Sequence, residues 1–374
     1  MQQFNAPPRD AYTAAQVRAL IIDSPTIVVG KGCETIDPDT LLATEDISDD
    51  LGGGTVRRGS YDTLHGQAHL LIAREMNWGS GIIRPYMTLS DGTTTMRFNL
   101  GAYFIPTPRR SLGQDPLTYE VDCYDILARL DDPVGSSYSV PAATAYLAAV
   151  EEILIGQNCV YTIDQTAASS VLPSPMSWPV ADNPTWLTVV NGLLGPIGYQ
   201  GIWSDWDGVM RVQPYVTPRD RASEMTLSTN ITESILAQDP QVTRDFDKVP
   251  NRWIGYRQNN IDDVAPVDGA GRYETANDSD GDTSIDSRGR TITRVESFDV
   301  ADQAALIAAV EAMAAADMTI STKIEHHTAP NPLHWHFDRL TVVDSRLGGA
   351  VEILDTAWEL DLDGTDMAHE WTVL

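Results

Sequence analysis

The sequence predicts an α+β protein, mostly β, with two β regions flanking a smaller mixed α/β region. Three observations carry this reading. Short runs rich in β-branched and aromatic residues recur at both ends of the chain. Three Asp-Gly steps, at Asp91-Gly92, Asp207-Gly208 and Asp363-Gly364, each lie between such runs. Apolar spacing turns helical only in the middle and once more near residue 300. A length of 374 residues corresponds to two or three domains, and 42% apolar residues suffice to pack them.

Taken in order, residues 26–29, 54–59, 68–74, 85–90, 93–98, 103–105 and 117–121 read as strands. The pair around Asp91-Gly92 reads as a two-residue hairpin, because both central positions need φ > 0. Regular spacing of short strands suggests a barrel or sandwich. Asp122 is placed to cap a short helix over 123–130 that stops before Pro133. Pro141 opens a second helix with Tyr146, Leu147, Val150, Ile153 and Leu154 on one stripe. Asn183 caps a third, with Pro184 at its first position and Gly195-Pro196 ending it. A second hairpin runs through 199–206, Asp207-Gly208 and 209–215. Residues 252–257 alternate as a strand, and 259–290 read as a long, mobile polar excursion. Asp299 caps an alanine-rich helix over 300–316, buried through Leu306, Ile307, Val310 and Met313. Strands at 320–325, 340–343, 351–354, 357–362 and 369–374 close the chain. The domains expected are therefore 1–121, 122–217 and 218–374.

Charge narrows the function. Lys and Arg number 25 against 53 Asp and Glu, a net charge of −28. Gripping duplex DNA requires clustered cations, and an anionic membrane would repel such a chain. No basic, apolar leader opens the sequence and no apolar run approaches about 18 residues, so neither a signal peptide nor a stable membrane insertion is expected. Cys33, Cys123 and Cys159 are odd in number and far apart, which suits small buried hydrophobes in a reducing cytoplasm better than disulfides or zinc. Only three of the 25 cations are Lys, leaving 22 Arg, a hint of GC-rich coding.

Candidate sites are weak. His326, His327, His334 and His336 have a spacing that could ligate a metal, or they ride a proline-bent connection. Asp278, Asp280 and Asp282 suggest a calcium loop, but its sixth position is Thr283 rather than Gly and its twelfth is Gly289 rather than Glu. Asp131-Asp132 is a carboxylate pair, yet adjacent carboxylates do not flank a glycosidic bond. The glycines at 52–54 lack the Lys of a phosphate loop, and no Gly-x-Ser-x-Gly elbow occurs. Trp178, Trp186, Trp203 and Trp206 either stack on sugar rings or pack in cores. No catalytic, cofactor-binding or metal residue is assigned, and no enzymatic activity is expected.

The runs YEVDCYDILARLDDPV (119–134), YSVPAATAY (138–146), NPTWLTVVN (183–191), WSDWDG (203–208) and APNPLHWH (329–336) resemble minor tail proteins of siphophages infecting actinobacteria. These in turn are similar to the baseplate or tail hub family. The resemblance implies two tail-tube-like β-barrels, 1–121 and 218–374, joined by an α/β region. It implies a homotrimer forming a pseudo-sixfold ring at the tail tip, made in the host cytoplasm and carried in the virion. Its partners would be the distal tail or tail tube protein above, a tip, spike or fibre protein below, and the tape measure protein in the lumen. Genomic DNA would pass without specific binding; the acidity either lines a lumen that repels phosphate or only keeps the protein soluble. No added lytic domain is expected. The alternative is a carbohydrate- or receptor-binding tail component that uses the Trp-rich middle.

Overall fold

The computed structural model describes residues 12, 16–17, 20, 26–76, 78–79, 81–110, 117–229, 235–237, 240–244, 249–257, 267–268, 271–298, 302–318, 322–331, 333, 335, 337–364 and 366–374. It is mostly β, with large antiparallel sheets. The chain divides into two compact units: residues 1–240 with 325–372 and 374 form the first, and residues 241–324 with 373 the second.

The first unit opens with β1 (Val28–Ile36), β2 (Ala43–Asp46), β3 (Leu51–Gly59), β4 (Gly66–Ile72), β5 (Ile82–Ser90), β6 (Thr95–Asn99), β7 (Tyr103–Arg110) and β8 (Tyr119–Asp125). Period-two burial marks β4, β6 and β8 as strands with one face inward, whereas β5 is buried on both faces from Ile82 to Met87. The β5–β6 hairpin departs from the two-residue expectation. Ser90 pairs with Thr95, so four residues turn, held by Asp91 Oδ1, which accepts the N–H groups of Thr93 and Thr94. The helix expected over 123–130 is also shortened. Strand β8 continues through Cys123, which pairs with Ala68, and a 3-10 turn covers Ile126–Leu130. Its cap is Asp125, whose carboxylate accepts from the Leu127 N–H, rather than Asp122. Pairing across the sheet outweighs a local cap.

The middle region adds β9 (Tyr138–Val140), α1 (Tyr146–Gly156), β10 (Tyr161–Ile163), β11 (Met176–Trp178), α2 (Trp186–Leu194), β12 (Trp203–Ser204) and β13 (Met210–Val212). The two helices pack Val150, Ile153, Leu154, Val189, Val190 and Leu193 into one core, as their apolar spacing predicts. Two caps differ from expectation. Helix α1 starts at Tyr146 instead of Pro141, and α2 is capped by Thr185, because Asn183 sits in the left-handed region at φ 46° and ends the preceding turn.

The first unit is completed by β14 (Met225–Ser228), the end of β20 (Thr322–Thr328), β21 (Arg339–Asp344), β22 (Gly349–Asp361) and β23 (Met367–Val373). Described strands of the large sheet follow the open path β20-β23-β22-β3-β4-β8-β7-β5-β1-β2, with β6 on β5, β21 on β22 and β14 on β21.

The second unit holds β15 (Gln241–Arg244), β16 (Arg252–Arg257), β17 (Val267–Asp268), β18 (Gly271–Ala276), α3 (Ile285–Arg288), β19 (Thr293–Phe298) and α4 (Gln303–Met318). Four strands run in the order β17-β18-β16-β19. Trp253 from the sheet and Leu306, Val310 and Ala314 from α4 form its core. Gly255 makes room for the helix, since a Cβ there would meet Val310 at 2.2 Å. Asp302 Oδ1 accepts from the Ala305 N–H at the helix start; the expected cap Asp299 lies outside the described residues. Much of 259–290 is structured rather than an excursion. Strand β18 and α3 lie in it, and Asn277 and Ser284 are buried between them.

Candidate functional site

Within the first unit, two features join parts of the chain that are far apart in sequence. The first is a sheet splice. Antiparallel pairing of β22 with β3, from Ala357 opposite Gly59 to Asp361 opposite Thr55, makes one sheet of strands from the two ends of the chain. Its rim depends on Gly53 and Gly54, at φ 141° and 135°. The Asp363 carboxylate accepts the Gly54 N–H at 3.2 Å and pairs with Lys31, one of three lysines. Under the splice, Trp358, Leu360 and Leu362 share a core with Val56, Leu70, Val121 and Trp335.

The second is a buried polar joint between the β strands and the middle region. Arg58 is 1% exposed. Its guanidinium donates to Asp125 Oδ2 at 3.4 Å and to the Ser204 carbonyl at 2.5 Å, and stacks 4.4 Å from the Trp335 ring. Ser204 Oγ donates to the same carboxylate at 2.8 Å, and Trp335 Nε1 donates to the Ser204 carbonyl at 3.2 Å. Burial pushes the Asp125 carboxyl up, while Arg58 pulls it back. Beside it, Glu34 receives both Arg84 and Arg97 at 2.6 Å. Burial would raise Glu34, but the hydrogen bonds from Arg97 and Arg84 win and hold it below the ordinary carboxylate range. Arg84 also reaches the carbonyls of Leu41 and Asp207, and Asn99 donates to Asp207 Oδ1 at 2.6 Å. The Asp207-Gly208 turn is thereby locked against the sheet. Gly208 has φ 90°, and a Cβ there would lie 2.5 Å from Ala102. Asp205 braces the same turn, accepting the N–H groups of Asp207 and Val209 and pairing with Arg211.

Such an arrangement fixes orientation; it exposes no nucleophile or base to a substrate. Among the described residues, the arrangement nearest to a catalytic constellation involves residues that the sequence does not single out. His369 Nδ1 lies 3.0 Å from Asp355 and its Nε2 lies 2.9 Å from Thr328 Oγ1, the order of a nucleophile, base and orienting acid. All three are at most 2% exposed. Burial also holds His369 down to about 3, so it is neutral. Only period-two burial in β23 could have placed His369 inside.

The residues singled out in the sequence do not converge. His326 is buried beside Trp371, with ring centroids 5.2 Å apart, and its Nδ1 accepts the His327 N–H. His327 is exposed and pairs with Asp366 at 2.7 Å. His334 and His336 lie outside the described residues. The loop with Asp278, Asp280 and Asp282 closes on itself: Asn277 Nδ2 donates to the Asp280 carbonyl and its Oδ1 accepts the Asp280 N–H. Among the described residues, no three His, Cys, Asp or Glu side chains gather as a metal would require. Asp131 and Asp132 are exposed on a connecting turn. Trp178 and Trp186 pack on the helical core and Trp203 and Trp206 on the β core, so the four do not form one platform. Cys33 and Cys123 are buried thiols; Cys159 is half-buried. No helix among the described residues is long and apolar enough to cross a membrane.

No protein-family model matches the chain, and a search of the curated proteins finds no match. Solved structures do match. The tail protein from Neisseria meningitidis MC58 superposes with a TM-score of 0.63 at 12% identity, covering 92% of this chain and 96% of that one. The 43 kDa tail protein of prophage MuSo2 from Shewanella oneidensis gives 0.59 at 10% identity, covering 92% and 98%. A chain of the Francisella PdpA-VgrG complex gives 0.60 at 9% identity; 94% of this chain aligns to 58% of that one. Across nearly its whole length, the chain shares its fold with these two tail proteins.

Proposed function

We propose that this protein is a non-enzymatic structural component of a phage tail, the hub at the distal end of the tail tube. The single observation that carries the reading is the β3–β22 splice, which makes one sheet from the two ends of a chain with the fold of tail proteins. In this reading 1–121 and 218–374 are two tube-like β modules, joined by 122–217, and the unit 241–324 is inserted in the second. Two such modules per chain let three copies meet a sixfold tube, a heterologous closed ring. The tube or distal tail protein sits above, a tip, spike or fibre below, and the tape measure protein and then DNA pass through. A net charge of −28 suits such a passage, since an excess of carboxylates repels phosphate. The GC-rich coding hint and the sequence runs point to an actinobacterial siphophage, and the virion tail tip is the proposed location.

Light scattering of the purified chain, followed by cryo-electron microscopy of tails carrying a labelled copy, tests this. Three copies in an axial ring are expected. A chain that stays monomeric and labels only the tail periphery overturns it.

A further inference from the structure

The second unit presents a strand edge whose sequence is complementary to itself. Strand β19 pairs only with β16 among the described strands, in parallel register from Arg252 opposite Thr293 to Arg257 opposite Phe298. Residues 293–297 are all exposed, and Val295 is 55% exposed. An edge of this kind offers a row of backbone donors and acceptors to any strand that fits it.

The side chains specify which strand fits. Set antiparallel to a second copy of itself with Val295 on the two-fold axis, β19 places Arg294 opposite Glu296 of the other copy, and Glu296 opposite its Arg294. Thr293 meets Ser297 on both sides, and Val295 meets Val295. Every facing pair is then an attractive one: two opposite-charge pairs, two hydroxyl pairs and one β-branched pair. A one-residue slip destroys this, setting Arg294 against Val295 and moving each side chain to the wrong face. Within one copy Arg294 already reaches Asp317 at 2.7 Å and lies 3.6 Å from Glu296, which holds both side chains on one face of the strand. Helix α4 covers β16 and β18, as Leu306 and Val310 against Gly255 show, so it does not block the β19 edge.

We propose that β19 is a self-pairing edge: two copies of this chain join antiparallel about Val295, merging their four-stranded sheets into one. The contact is isologous, so it cannot be the contact that closes a threefold ring. It joins free chains in pairs or one ring to another, and it stands whether or not the hub reading does. Five facing pairs bury less than a standard interface, so association is weak and concentration-dependent.

Sedimentation velocity over a concentration series tests it. The expected result is a doubling of mass at high concentration, from whatever unit the chain forms when dilute. Arg294→Glu sets like charges opposite each other and should weaken the doubling about tenfold; Arg294→Glu with Glu296→Arg restores the complement and should recover it. Because Arg294 also holds Asp317, a second measurement is independent of charge. In a Cys159→Ser background, Val295→Cys brings two thiols together at the axis, within disulfide reach after small adjustment. Mild oxidation should give a reducible cross-linked dimer faster than an exposed Ser287→Cys control. Absence of doubling up to the solubility limit, doubling indifferent to the charge variants, or Val295→Cys linking no faster than the control each overturns the proposal. The charges would then only guard the edge.

Discussion

Arg58 is among the largest fully buried side chains of the described residues, and its charge is tolerated because the Asp125 carboxylate, the Ser204 carbonyl and the Trp335 ring answer it. Removing it leaves Asp125 buried without its cation. Arg58→Ala should therefore cost about 3–5 kcal/mol, read as a fall in the urea midpoint. Arg58→Met, which keeps the stem against Trp335 but not the ion pair, should be only a little milder, since the orphaned carboxylate is the larger penalty. Histidine 369 makes the opposite argument. Burial depresses its folded-state value to about 3 from an ordinary 6.5. Between these limits the unfolded chain binds a proton that the native chain refuses. Stability is thus complete above about pH 6.5 and is lost as pH falls toward 3, by up to about 1.4 kcal/mol per pH unit. His326, lowered by burial as well, adds to the same slope. Denaturant unfolding at several pH values should show this slope, and His369→Asn should reduce it, leaving the share of His65, which burial also lowers to about 3, and of His326; an unchanged slope would place the titration elsewhere.

At the scale of elements, the same contest recurs: local signals propose and the sheet disposes. Leu306 and Val310 on α4, and Val150 and Leu154 on α1, were legible because 3.6-residue spacing needs no partner to be recognised. Asp122 and Asn183 have the chemistry of caps, which is common to many Asp and Asn residues, yet Asp125 and Thr185 do the capping. Pairing of Cys123 with Ala68, 55 positions away, is invisible in a local window. The polar joint was illegible for the same reason: nothing near Arg58 in sequence announces Asp125 or Ser204. Glycines at the splice give an element-scale test. At Gly54, with φ 135°, a Cβ would lie 2.0 Å from the His69 carbonyl oxygen. Gly54→Ala should therefore distort β3 where Leu362 and Asp363 dock, and lower the melting temperature by several degrees. Gly79→Ala, where a Cβ meets nothing within 4 Å, should leave it unchanged.

At the scale of the whole molecule, the splice makes the two ends of the chain interdependent. Strand β3 has β4 on one side and β22 on the other, and Trp335, Trp358 and Leu360 fill the core beneath strands that come from the first third of the sequence. A chain ending at Pro240 keeps β1–β8 and the middle region but loses β22, Trp335, Trp358 and Leu360. It would expose the β3 edge, the apolar floor around Val56 and Leu70, and Arg58 stripped of Trp335. Such a truncation should express as aggregate, or as a species that binds a hydrophobic dye and lacks a cooperative melt. Supplying residues 325–374 in trans, as a co-expressed fragment, should recover soluble complex, because the missing contacts are backbone pairing and apolar burial rather than covalent continuity. If residues 1–240 alone instead gave a monodisperse protein with a sharp melt, β22 would be an ornament on a complete module. The splice could then no longer carry the argument that two β regions of one chain act as a unit.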